Sequence, residues 1–197
     1  MTVVKRWLRG AMAFAIAASV IAPASATTLK RASLDELVAG NRSVVVGEVI
    51  DSRSYWNADH SFILTDVELA VSDVAKGARR DNLTVTIMGG RVGDITTLII
   101  AGPELIPGKS YVLFLKEEEL PGGRALTVRD LAQGTFEVKL GKEGDLRAVS
   151  QANAHALLPD AFGSFKAAGG EEGYPLTSMI QSIRDIERHQ GVRKEAK

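Results

Sequence analysis

The chain has 197 residues, 24 basic and 24 acidic side chains, 45% hydrophobic residues and no cysteine. Without cysteine there is no disulfide framework and no lipid-modified N-terminal residue, so any folded domain must stand on its hydrophobic core alone. Lys5, Arg6 and Arg9 open the chain with positive charge, and no acidic residue comes before Asp35. An apolar run from Ala11 to Ala22 follows and ends at Pro23-Ala24-Ser25-Ala26, where Ala24 and Ala26 form the small-x-small pattern of a signal-peptidase site. The run is shorter than the roughly 20 residues that span a bilayer, so it reads as a cleavable export signal and not as a retained membrane helix. Cleavage is expected after Ala26, releasing a periplasmic or secreted chain that starts at Thr27 and leaves the membrane.

That mature chain of 171 residues is long enough for one domain. Three basic residues leave with the signal, so 21 basic face 24 acidic residues, a net of −3. No basic stripe remains except the tail Arg193-Lys194, which argues against nucleic acid as a partner.

Ser33-Leu34-Asp35-Glu36 has the capping-box pattern and predicts a short helix ending near Gly40. A first strand is expected over Ser43 to Ser52, with Gly47 marking a bulge or sharp coil. Tyr55 to His60 reads as a turn. Ile63, Thr65, Val67, Leu69 and Val71 then alternate with Asp66, Glu68 and Ser72, the pattern of a half-buried antiparallel strand, with a phase shift at Val74. Leu83 to Ile87 predicts a third strand that stops at Gly89-Gly90, and Thr96 to Ile100 a short fourth one. Tyr111 to Lys116 is apolar throughout and predicts a central strand; Ala125 to Arg129 and Thr135 to Leu140 follow, the last with Phe136, Val138 and Leu140 inward. From about Gly141 to Pro175 the pattern fades into small residues, and Leu176, Met179, Ile180, Ile183 and Ile186 then take helical spacing.

Short strands with hairpin turns and no βαβ rhythm predict a mostly β fold, a small antiparallel barrel or sandwich of six or seven strands. Internal glycine in long strands favours an OB-like barrel over residues 27–145, with residues 146–197 a loop-rich segment and an amphipathic helix packed on it.

The ordered set Val46-Gly47-Glu48-Val49, Thr65-Asp66-Val67, Val74-Ala75-Lys76-Gly77, Gly89-Gly90, Gly102-Pro103, Tyr111-Val112-Leu113-Phe114-Leu115 and Ala132-Gln133-Gly134-Thr135-Phe136 resembles a family of uncharacterised bacterial exported proteins. More remotely, it resembles the netrin-like domain of tissue inhibitors of metalloproteinases, over roughly Leu34 to Leu140. The resemblance implies an OB-type barrel with a binding role and no catalytic residues, and a protein partner of the matrixin-type metalloprotease class. The animal inhibitors use an N-terminal cysteine to chelate the protease zinc; here the expected end is Thr27-Thr28, so that mechanism does not carry over, although a free amine at Thr27 remains a candidate contact.

The chemistry-bearing residues point the same way. His60, His155 and His189 have no second His or Cys at metal-ligand spacing, so neither a metal site nor a cofactor is expected. Gly108-Lys109-Ser110 lacks the first glycine of a phosphate loop and runs into a strand instead of a helix. Ser164 lacks a nucleophile elbow, and Asp66 and Glu68, imagined as acid–base partners of Asp59, fall on the solvent face of their strand. The sequons at Asn41 and Asn82 carry no glycan in a bacterium, the host the resemblance implies. The best binding signal is the turn carrying Tyr55, Trp56, Asn57, Asp59 and His60, since aromatic residues on a hairpin tip are typical of recognition surfaces. The alternative is that Trp56 folds back as packing. The sequence therefore predicts an exported binding module and not an enzyme, with a protease or, alternatively, a glycan or other surface component as its target.

Overall fold

In a computed structural model of the chain, residues 32–128, 130–154 and 172–195 are described. The proposed signal with its cleavage site at Ala26, Thr27, His155 and Ser164 lie outside them.

Helix α1 (Leu34–Ala39) starts where the capping box predicts it. The Ser33 hydroxyl accepts from the Glu36 N–H, and the Glu36 carboxylate accepts from the Ser33 N–H at 2.8 Å. Ten strands follow: β1 (Ser43–Trp56), β2 (Ile63–Lys76), β3 (Asn82–Met88), β4 (Gly90–Val92), β5 (Ile95–Thr97), β6 (Ser110–Leu120), β7 (Gly123–Val128), β8 (Thr135–Leu140), β9 (Leu146–Ser150) and β10 (Tyr174–Pro175). Helix α2 (Leu176–Glu195) closes the described chain. The main sheet is antiparallel, in the order β10-β9-β8-β6-β1-β2-β3, and β7 folds back on the C-terminal half of β6. Strands β4 and β5 form a separate two-stranded ribbon.

The mostly β antiparallel architecture with a helix near each end is the one expected. The barrel does not close: among the described residues the ladder runs from β10 to β3 without the two edges pairing. Coiling is nevertheless strong, because the β1–β2 ladder shifts register three times, between Val44 and Val45, Val46 and Gly47, and Val49 and Asp51. Gly47 sits at the second shift, where a Cβ would come within 2.9 Å of the Ala70 carbonyl oxygen. The bends bring β3 against β7, which packs the sheet on itself through side chains without joining it by hydrogen bonds.

Two cores result. Inside the coil, Val45, Val49, Val67, Leu69, Val85, Tyr111, Leu113 and Leu115 pack together with Val128. On the opposite face Val44, Val46, Val112, Phe114 and Phe136 meet Leu37 and Val38 of α1 and Met179 and Ile183 of α2. Strands β1 and β6 are thus covered on both faces, which is why Val44-Val45-Val46 and Tyr111 to Leu115 are continuously apolar instead of alternating.

Several expectations are corrected in detail. The first strand runs on to Trp56, so Tyr55 and Trp56 are strand residues and the turn begins at Asn57. The strand expected over Thr96 to Ile100 is β5, only Ile95–Thr97, and Leu98 to Ile100 leave the sheet. Leu140 is 73% exposed, because β8 reaches beyond the helices that cover Phe136. The fading stretch after Gly141 holds β9, a full partner of β8 from Phe136 to Leu140, whose apolar residues Leu146, Ala148 and Val149 are too few to show a period.

Candidate functional site

The tip between β1 and β2 is built around Asn57, which is buried. Its carbonyl oxygen accepts from the Ser61 and Phe62 N–H groups at 3.0 and 2.9 Å, and its amide donates to the Ser61 hydroxyl and to the Pro121 carbonyl of the β6–β7 turn. The Asp59 carboxylate accepts from the hydroxyl and the N–H of Ser61, which hold it below the ordinary carboxylate range. The hydrogen bonds of Asn57 and Asp59 therefore form the turn itself. They turn inward. His60, exposed and in the left-handed region at φ 55°, stacks on Trp56 with ring centroids 6.3 Å apart. Tyr55 stands apart from that pair: its hydroxyl donates to Asp66, which also accepts from Thr86 at 2.6 Å. Burial, followed by the Asp66 charge, raises the Tyr55 phenol above its usual value of 10.0. Asp66 is thus engaged across β1, β2 and β3, and Glu68 is exposed.

The structure brings forward a surface that the sequence reading passed over. Between β5 and β6 the chain exposes Leu98 at 85% and Ile100 at 77%, with Ile95 and Ile106 also exposed. Nearly bare aliphatic side chains gathered on one connection are unusual on a folded surface. The segment is held firmly at its base. Ala101 adopts φ 57°, a left-handed conformation costly for any residue with a Cβ, and its carbonyl accepts from the Ala132 N–H at 2.9 Å. The Gln151 amide clamps Glu104 on both sides, donating to its carbonyl at 2.6 Å and accepting from its N–H at 2.9 Å. The Ile106 N–H donates to the Tyr111 hydroxyl, and Leu105 is buried beneath.

Beside this loop lies an open groove of about 590 Å³, lined by the apolar Met88, Leu98, Ile99 and Val149 and by the charged Glu137 and Lys139. Burial works to raise the Glu137 carboxyl, but ion pairs with Lys109 and Lys139 at 2.9 and 3.0 Å outweigh it and leave the group below its ordinary value. Lys109, considered above as a phosphate-loop lysine, is thus committed to Glu137, and the chain after it enters β6.

Among the described residues no three His, Cys, Asp or Glu side chains form a metal-ligand set, and no helix is long and apolar enough to cross a membrane. His189 lies on α2 with Nδ1 2.7 Å from the Asp185 carbonyl oxygen. No protein-family model, no curated protein and no solved structure matches the chain.

Proposed function

We propose that the protein is an exported, non-catalytic binding module whose working surface is the loop between β5 and β6 with the groove beside it, and whose target is another protein. The observation that carries this reading is the combination of Leu98 and Ile100, bare to solvent, with a backbone clamped by Gln151 and Ala132. A loop ordered in advance loses little entropy on binding, and bare aliphatic side chains gain most from being covered. An apolar partner surface with a polar rim, facing Glu137 and Lys139, fits that chemistry. A matrixin-type metalloprotease is the partner class suggested by the family resemblance, and inhibition would follow from occlusion and not from zinc chelation. The test is to titrate the mature chain, from Thr27, into several such proteases while following binding and peptide hydrolysis. Saturable binding supports the protease assignment, and no binding across the panel sinks it.

A second reading places a glycan on the tip. The Trp56–His60 stack is the observation that favours it, since sugar rings pack on exposed aromatic faces. It predicts that Trp56→Ala abolishes retention on polysaccharide and leaves the loop's protein binding intact.

A further inference from the structure

At the other end of β3 from the groove, about 20 Å away at the rise of a strand, the β2–β3 turn carries Arg79 and Arg80 beside Arg184 of α2. The three arginines line an open cavity of about 220 Å³ together with Ser72, Asp73 and Gly77. We propose that this cavity is a binding site for a doubly charged tetrahedral oxyanion, of the kind carried by a phosphate monoester.

The charges of the site do not cancel. Many cations elsewhere are matched to carboxylates, as Arg42 to Glu117, Lys109 and Lys139 to Glu137, Lys116 to Glu118 and Arg147 to Asp145, while Arg53 and Arg91 stand singly without an acidic partner among the described residues. Arg79 and Arg80 have no acidic partner among the described residues, and both are exposed. Asp73 is the one acid lining the cavity, and it is already engaged by Arg184, whose Nη2 donates to its two oxygens at 2.7 and 2.9 Å and to the Val74 carbonyl. Three guanidinium charges against one carboxylate leave the lining at +2, in a mature chain expected to be net acidic. Asp81, exposed, follows Arg80 in the turn and does not line the cavity. Among the described residues all the bonds of Arg184 use Nη2, which leaves Nε and Nη1 with donors to offer, and Arg79 and Arg80 supply two further planar forks. Forks of this kind suit phosphate oxygens better than a point charge does. The Asp73 ion pair holds Arg184 in place across 111 residues of sequence, so the site exists only when α2 is docked.

Calorimetric titration of the mature protein with inorganic phosphate, glucose 6-phosphate and glucose tests this. Phosphate and the phosphomonoester should bind with an affinity that falls as salt rises, and glucose should not bind. Free phosphate binding more tightly than glucose 6-phosphate would identify the ion itself as the ligand, and the reverse order an esterified one. Arg79→Gln with Arg80→Gln, on the exposed turn, should weaken binding at least tenfold without moving the melting temperature. No heat with either phosphate at millimolar concentration, or an unchanged affinity in the double arginine variant, overturns the proposal.

Discussion

Asn57 is the residue on which the β1–β2 tip depends. Its side chain makes four hydrogen bonds from a buried position, so Asn57→Ala leaves the Phe62 N–H and the Pro121 carbonyl without that partner, while the exposed Ser61 N–H keeps its bond to Asp59. Unsatisfied buried groups cost about 1–3 kcal/mol each at most, and partial rescue by water brings the expected loss to about 2–3 kcal/mol in a urea melt. A loss below about 0.5 kcal/mol would show that the turn forms without it. Glu137 makes a pH prediction. Its folded pKa lies below the ordinary 4.5, so its ion pairs stabilise the fold fully above that value, and the contribution is lost as pH falls through the lowered folded value. Melting temperatures followed below pH 5 should fall less steeply in Glu137→Gln than in wild type; parallel curves would contradict the assignment. Residue types at the tip were legible in the sequence, but not their direction. An Asn and an Asp beside aromatics look alike whether they reach for a ligand or close their own turn.

At the scale of the element, hydrophobic periodicity located most of the structure. The alternation from Ile63 to Val71 is visible because β2 has one buried and one wetter face there, and the helical spacing of Met179 and Ile183 is visible because α2 buries one stripe. Burial across that stripe makes a prediction: Ile183 is fully buried, so Ile183→Ala should cost about 2–4 kcal/mol by chemical denaturation. A cost under 1 kcal/mol would mean that α2 is only loosely docked. Where periodicity misled, the reason is physical. Consecutive aliphatics at a turn have the same composition as a buried strand, so Leu98, Ile99 and Ile100 read as sheet although Leu98 and Ile100 face solvent. β9 escaped notice for the opposite reason, being short and lying between Gly144-Asp145 and the polar Gln151.

Across the whole molecule, pairing over long sequence separations decides what the surface offers. The antiparallel strands and their coiling were legible in the strand patterns, but the division into two cores was not; edge closure depends on bends that no single segment encodes, and among the described residues the ladder stays open. Both candidate surfaces are assembled in the same way: Gln151 reaches back 47 residues to pin Glu104, and Arg184 spans 111 residues to Asp73. Neither is visible in any window of the sequence. The central claim, that the clamped aliphatic loop is the binding surface, is tested most directly by comparing protease-binding isotherms of the wild-type mature protein, the double variant Leu98→Asp with Ile100→Asp, and Trp56→Ala. Covering one such side chain is worth about 1.5–3 kcal/mol, so the loop variant should bind at least tenfold more weakly while Trp56→Ala binds as wild type does. A loop variant that binds undiminished, with binding lost instead in Trp56→Ala, would contradict the account.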